Sequence, residues 1–367
     1  MANEDKATRY QRLRRRATVA GVLSVALVLS LAQFVGPPGP VGTGASAGPV
    51  WQLGSLALAA FGLLTVAVGA AFPSAFYRDA LLTRHYGLSR EPPATWVKGW
   101  ARHAGVIVTI GTVSVLACAL ARSLAPQWWW ALGGAGAAAA PFAIGRLLSA
   151  AMRGESAGTP LGKGALRDRL TQLLSKAGLP GVGLYETHVG GRTRLASAAV
   201  VSVGGERRVV LSDTLLADHT DEEVEVVVAH ELAHVVHHDV VASQVAHALH
   251  VAGSLFGADA VLRRVGSEVA IPPAGLLPLA LLAGGVAFIV IRPLMLAVSR
   301  HQERLADRYA MHLTGSPEAL TSVLRRMAAN NLAEPAPSRA TVWWFHSHPA
   351  AAARMRHTAT SSNRAFP

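Results

Sequence analysis

Long uncharged apolar runs alternate along this chain with short segments dense in arginine. The first run, Ala17 to Val35, follows Arg9, Arg12, Arg14, Arg15 and Arg16. A secretory signal carries similar charges, but its apolar core spans only about 7 to 15 residues before a small-residue cleavage site. This run is nearer the roughly 20 residues that cross a bilayer as a helix, so it is read as a retained span, with a cleaved signal as the lesser alternative. A Gly/Pro-rich stretch, Gly36 to Pro49, leads to a second run, Val50 to Phe72. Arg78, Arg84, Arg90, Lys98 and Arg102 then outnumber Asp79 and Glu91, which assigns that segment to the cytoplasmic side. A third run, Ala104 to Ala121, and a fourth, Trp128 to Ile144, are joined at Pro126, with three tryptophans suited to the membrane interface. Residues 1–153 are therefore expected to form a membrane domain of four spans.

From about Gly158 to Asp239 the pattern becomes that of a water-soluble domain. Leu166 to Ala177 has the spacing of an amphipathic helix closed by Gly178 and Pro180. Leu195 to Val203 and Arg207 to Leu211 read as strands around a Gly204-Gly205 turn. Thr220-Asp221-Glu222-Glu223 is a capping box ahead of a helical apolar run.

Two further apolar runs follow, Val240 to Leu262 and Gly275 to Ile291, read as a helical hairpin within residues 240–298. The first contains His247, His250 and Asp259, which makes it the weakest of the spans and leaves lining a cavity, rather than facing lipid, as its alternative. Residues 154–239 and 299–357 then form two parts of one cytoplasmic domain, and 358–367 reads as a disordered tail. The fold class is mainly α, a polytopic membrane bundle carrying a zincin-like α+β domain.

Composition supports lipid as the solvent for much of the chain. Of 367 residues, 51% are hydrophobic and 15% charged, against roughly 25% charged in a soluble domain. The formal charge of +12 resides in arginine clusters flanking apolar runs, and no nucleic-acid-binding module accompanies it. The single cysteine, Cys118, lies in an apolar run and precludes an intramolecular disulfide.

The helix after Thr220 contains His230-Glu231-Leu232-Ala233-His234, a match to H-E-x-x-H. A spacing of four puts both imidazoles on one face, about one turn apart, where both reach a single zinc ion. Glu231 beside them is placed to act as general base toward water acidified by the metal. Catalytic zinc generally has a third protein ligand. Glu303 supplies it, and Asp307, one helical turn further, is placed to hold the ring N–H of a ligand histidine. An even number of spans between the half-sites keeps both on one side of the membrane. The competing reading of Glu303 and Asp307 is a solvated face paired with Arg300, Arg304 and Arg308.

With these residues in view, the sequence resembles the type I CAAX prenyl proteases, the integral-membrane zinc peptidases that include the yeast a-factor processing enzyme, and their bacterial HtpX-type relatives. The resemblance covers Pro73-Ser74-Ala75-Phe76-Tyr77, His85-Tyr86-Gly87-Leu88 and the strand and turn from Val209 to Leu216. It extends through Glu303-Arg304-Leu305-Ala306-Asp307, Asn331-Leu332, and His346-Ser347-His348-Pro349 with Arg354. It implies transition-state support by His348 and a structural or substrate-orienting role for Arg354. From the residues alone, a histidine before Pro349 reads first as a loop residue. The chain departs from the family at Ala233, where glycine is usual, and at Ser197, where asparagine is usual in the strand leading to the substrate cleft. The resemblance also implies substrate binding as an added β-strand along Leu195 to Val203, beside its plain reading as an amphipathic strand.

The expected function is thus a membrane-embedded zinc metalloendopeptidase acting on peptides or proteins. Two substrate classes compete: C-terminal processing of lipidated proteins, and cleavage of damaged membrane proteins. The Ala- and Arg-rich composition points to a bacterial plasma membrane and tilts the choice toward the second. The alternative from another class is a membrane sensor with a zinc-bound cytoplasmic domain and little proteolysis.

Overall fold

A computed structural model describes residues 5–35, 49–151, 158–191, 193, 195–203, 205–265 and 274–362. The chain is mainly helical. α1 (Lys6–Val35) and α2 (Pro49–Ala75) pair through the membrane domain, and α2 continues as a π-helical turn, Phe76–Leu82, into the short α3 (Thr83–His85). α4 (Pro93–Leu124) and α5 (Trp129–Ala151) complete this part. After the mixed domain come α9 (Asp239–Arg264) and α10 (Leu277–Thr314), which pack along each other as a hairpin.

Among the described residues, five helices are long and apolar enough to cross a membrane by length and composition: Lys6–Val35, Val50–His85, Pro93–Leu124, Asp239–Arg264 and Ala274–Thr314. They include the run containing His250 and Asp259. These polar groups are satisfied by neighbouring helices and within α9: His250 Nε2 donates to Phe288 O at 2.8 Å, and Asp259 accepts from Trp129 Nε1 at 2.8 Å and from Arg263 Nε, one turn on, at 2.7 Å. Hydrogen-bond satisfaction of this kind lets a polar residue sit at membrane depth. α5 covers the fourth predicted run, but its side chains from residue 141 onward lie outside those described. Small residues bring the membrane helices together, as packing without a hydrophobic gradient requires. A Cβ on Gly134 would lie 2.8 Å from Ala248 O, and one on Gly257 would lie 2.7 Å from the Ala287 Cβ.

The water-soluble part is built on a four-stranded sheet ordered β1-β2-β4-β3: β1 (Thr159–Pro160), β2 (Gly183–Thr187), β3 (Ala198–Val203) and β4 (Glu206–Ser212). β2 and β4 run parallel, while β3 and β4 form an antiparallel pair in the register Ala198↔Leu211, leaving β3 as an edge strand. The strand expected to begin at Leu195 starts three residues later, at Ala198, and the second extends from Glu206 to Ser212. α6 (Ala165–Lys176) matches the predicted amphipathic helix, and Gly178 adopts φ 72 in the turn that ends it. Leu170, Leu173, Val209, Leu211, Leu215 and Leu232 are fully buried between sheet and helices.

α7 (Asp213–Asp218) leads to α8 (Asp221–Val236), whose N-terminus has the predicted reciprocal cap between Thr220 and Glu223. α11 (Pro317–Asn330), α12 (Arg339–Phe345) and α13 (Ala351–Ser362) follow α10. Residues 358–362, read from the sequence as the start of a disordered tail, continue α13. Thr358 is 1% exposed, with its hydroxyl 2.6 Å from the Thr321 hydroxyl, so a burial contact orders it. Residues 363–367, the 36–48 connection and Gly204 of the predicted turn lie outside the described residues.

Candidate metal centre

The site forms where α8 crosses α10. Ala229 and Ala233 on α8 and Ala306 and Ala310 on α10 are all fully buried, and these short side chains allow the close helix approach that the ligands need. His230 Nε2 lies 3.4 Å from Glu303 Oε2, and His234 Nε2 lies 3.9 Å from Glu303 Oε1. The two imidazoles stand nearly perpendicular, at 87°, with centroids 5.1 Å apart.

One ligand atom from each of His230, His234 and Glu303 falls within 4.8 Å of the others. A tetrahedral zinc ion with bonds of about 2.0–2.1 Å requires its ligand atoms roughly 3.3 Å apart. The His230–Glu303 pair, at 3.4 Å, already meets that spacing, and the His234–Glu303 pair, at 3.9 Å, lies close to it. Two imidazoles with one carboxylate are also a donor set suited to zinc. The residues present thus fit the ion that the spacing of the motif implied.

A surrounding layer holds these ligands. Asp307 Oδ1 lies 3.1 Å from His230 Nδ1, an ion-pair approach without full hydrogen-bond alignment. Arg354 grips Asp307 with two parallel bonds, Nε to Oδ2 at 2.8 Å and Nη2 to Oδ1 at 2.6 Å, and its Nη1 is 3.7 Å from Glu303. Glu303 and Asp307 are buried and turned toward α8, so the reading of them as a solvated face paired with neighbouring arginines on α10 does not hold. His348 Nδ1 lies 2.9 Å from Glu303 Oε1, which brings the C-terminal segment onto the metal ligands.

Sequence reading missed Asp239, whose Oδ2 is 2.7 Å from His234 Nδ1. The turn between α8 and α9 puts His238 in the left-handed region at φ 56 and folds Asp239 back beneath the helix it has just left. Gln302 on α10 fixes it further by donating to its backbone carbonyl at 3.2 Å. An acidic residue a few positions past the second histidine was the available signal, but only the turn geometry gives it meaning.

Electrostatics follow from burial. Burial alone would lower the His230 pKa, but the close carboxylates of Asp307 and Glu303 outweigh it and raise the metal-free ring to about 9. Burial, with the Glu303 carboxylate nearby, raises the Glu231 pKa despite the neighbouring histidines, making it a stronger base.

Residues 160–361 match the profile of Peptidase family M48. The chain is 27% identical over 214 residues to the uncharacterized metalloprotease YhfN of Bacillus subtilis, covering 56% of this chain and 50% of that protein. It is 33% identical over 178 residues to a protease HtpX homolog of Methanopyrus kandleri, covering 47% of this chain and 54% of that one. The chain thus spans about half the length of the curated relatives it matches. Among solved structures, a crystal structure of Ste24p from S. mikatae superposes with a TM-score of 0.69 at 19% identity, covering 96% of this chain and 87% of the other. That likeness shows the fold, a membrane helical bundle joined to the small sheet domain. With the family profile spanning more than half of its length and the His230, His234 and Glu303 group in place, the chain belongs to peptidase family M48.

Proposed function

We propose that the protein is an integral-membrane zinc metalloendopeptidase. One observation carries the reading: α8 and α10 converge so that His230, His234 and Glu303 share one metal-sized space with Glu231 beside it. Zinc, when bound there, supplies Lewis acidity that brings the pKa of water toward about 7 and polarises a carbonyl.

The remaining chemistry falls to the chain. Glu231, its basicity raised by burial, accepts the proton of the attacking water and delivers it to the departing amine. His348 donates to the oxyanion of the tetrahedral transition state from the segment that reaches Glu303. Asp307 and Asp239 orient the two imidazoles, and Arg354 holds Asp307. Arg354 therefore serves the ligands more directly than the substrate. The exposed edge of β3 offers backbone donors and acceptors to an extended peptide, and Ser197 just before it is tied to β4 through Ser212.

The substrate class we favour is membrane-associated protein, processed or degraded, which the five membrane-length helices of this chain support. The arginine-rich segments flanking the apolar runs support a bacterial plasma membrane with the site on the cytoplasmic side. Detergent-purified protein and its Glu231→Gln variant, offered prenylated and unprenylated peptides together, test the reading by mass spectrometry. Cleavage abolished in the variant is expected, with the preferred peptide selecting the substrate class; equal cleavage by both proteins would refute the mechanism. For sidedness, Asp218→Cys in a Cys118→Ala background should resist a membrane-impermeant thiol reagent in intact cells, and labelling from outside would overturn the cytoplasmic placement.

A further inference from the structure

We propose that Arg300 is a positioning residue for catalysis, seating the segment that carries His348 so that its imidazole lies over the metal ligands. The inference rests on the peptidase reading above. His348 sits in the irregular stretch between α12 and α13, and its side chain is 63% exposed. Its hydrogen-bonding contact among the described residues is the one to Glu303. Something other than its own packing must therefore hold the backbone of this stretch in place.

Arg300 meets that need. It is 8% exposed, and its Nη1 donates to His346 O at 2.8 Å and to Val342 O at 3.2 Å. The guanidinium also lies 5.9 Å from the centre of the Trp343 ring. α12 is only seven residues long; its Val342 carbonyl accepts the amide of the cap residue His346 at 3.3 Å, and the carbonyls beyond it have no following helical turn to bond. A buried cation at that end satisfies them and complements the negative end of the helix dipole. Arg292, two turns earlier on α10, adds a bond to Trp344 O at 3.2 Å.

Placement on α10 gives Arg300 its significance. Arg300 and Glu303 are three residues apart on one helical face, about 4.5 Å along the axis. One rigid helix thus holds the metal ligand that His348 touches and the carbonyl of His346, two residues before His348. The spacing between His348 and Glu303 is therefore governed from α10 at both ends. Lysine keeps the charge but lacks the planar guanidinium that lies against Trp343 while its Nη1 bonds both carbonyls.

The test uses full-length, detergent-purified, zinc-loaded protein in five forms: wild type, Arg300→Ala, Arg300→Lys, His348→Ala and the double variant R300A/H348A. With a quenched-fluorescent peptide that the wild type cleaves, R300A should lower kcat on the order of 10- to 100-fold. KM should stay within about twofold, and R300K should fall between. In the H348A background, R300A should cost less than about twofold more, because a residue acting through His348 has nothing left to act on.

Hydrogen exchange gives a readout free of activity. Amides from Val342 to His348 should exchange at least about tenfold faster in R300A, while those of α8 keep the wild-type rate. A loss that adds fully to that of H348A would overturn the proposal. So would unchanged exchange over 342–348, or exchange accelerated equally through α8. Failure of the peptidase reading is separately visible as full activity of E231Q, and the exchange measurement then decides the role of Arg300 in holding the segment by itself.

Discussion

Asp239 Oδ2 lies 2.7 Å from the Nδ1 of His234, five residues earlier, across the turn that ends the metal helix. The contact leaves Nε2 of His234 directed at the metal space and fixes the tautomer that binds zinc. Asp239 is 8% exposed, so the carboxylate acts where solvent screens it weakly. Asp239→Ala should therefore weaken zinc binding about 10- to 100-fold while one zinc still binds at saturation. Chelator competition with the purified protein measures this, and an unchanged affinity would show that the contact does not tune the site.

Zinc binding should also depend on pH in a direction set by His230. Its raised pKa, about 9 without metal, means that the ring holds a proton throughout the neutral range. Zinc must displace that proton, so apparent affinity should rise about tenfold per pH unit up to about pH 9 and then level off. Competition titrations at intervals from mildly acidic to alkaline pH would read the slope. A flat profile between neutrality and pH 9 would contradict the assigned proton.

Glu223 links the start of α8 to α11, accepting from Thr220 N–H at 3.1 Å and from the Ser322 hydroxyl at 2.7 Å. Burial pushes its pKa up, but Ser322, the Thr220 amide and Arg326 outweigh this and lower it below the ordinary 4.5. A carboxyl whose folded pKa is lowered contributes stability that is present above about pH 4.5 and lost as pH falls through the lower folded value. Glu223→Ala should cost about 1–3 kcal/mol at neutral pH. The deficit should shrink in acid, as thermal unfolding of both proteins across pH would show; a constant deficit would place the effect outside the carboxylate's charge.

Asp259 ties α9 to the turn before α5. It binds Trp129 and Arg263, and Arg263 Nη2 in turn donates to Pro126 O at 2.6 Å. Asp259→Ala leaves a half-exposed guanidinium and a buried indole N–H without their carboxylate partner and should destabilise the membrane bundle by about 1–2 kcal/mol. Asp259 is 20 residues beyond Asp239 on α9, about 30 Å along the axis. Zinc content of the folded variant should therefore match wild type. A lower unfolding temperature in detergent with full zinc occupancy is the expected pair of results; lost zinc would reveal coupling along the helix.

The sequence by itself determined whatever depends on short spacing. The pair His230 and His234 share a face because the α-helix repeats every 3.6 residues, and Thr220 with Glu223 mark where that helix begins by the same local geometry. The apolar runs of α1, α2, α4, α9 and α10 were legible because crossing a bilayer demands length and apolarity that no other context requires so strictly. Tertiary structure alone decided which distant groups meet. Arg300 reaches a carbonyl 46 positions away, and Gln11 on α1 donates to Leu332 O across 321 positions. Thr358 is ordered by its contact with Thr321, where composition alone suggested a free tail. Such contacts leave no period in the sequence, because they depend on how whole helices cross rather than on the turn of any one of them.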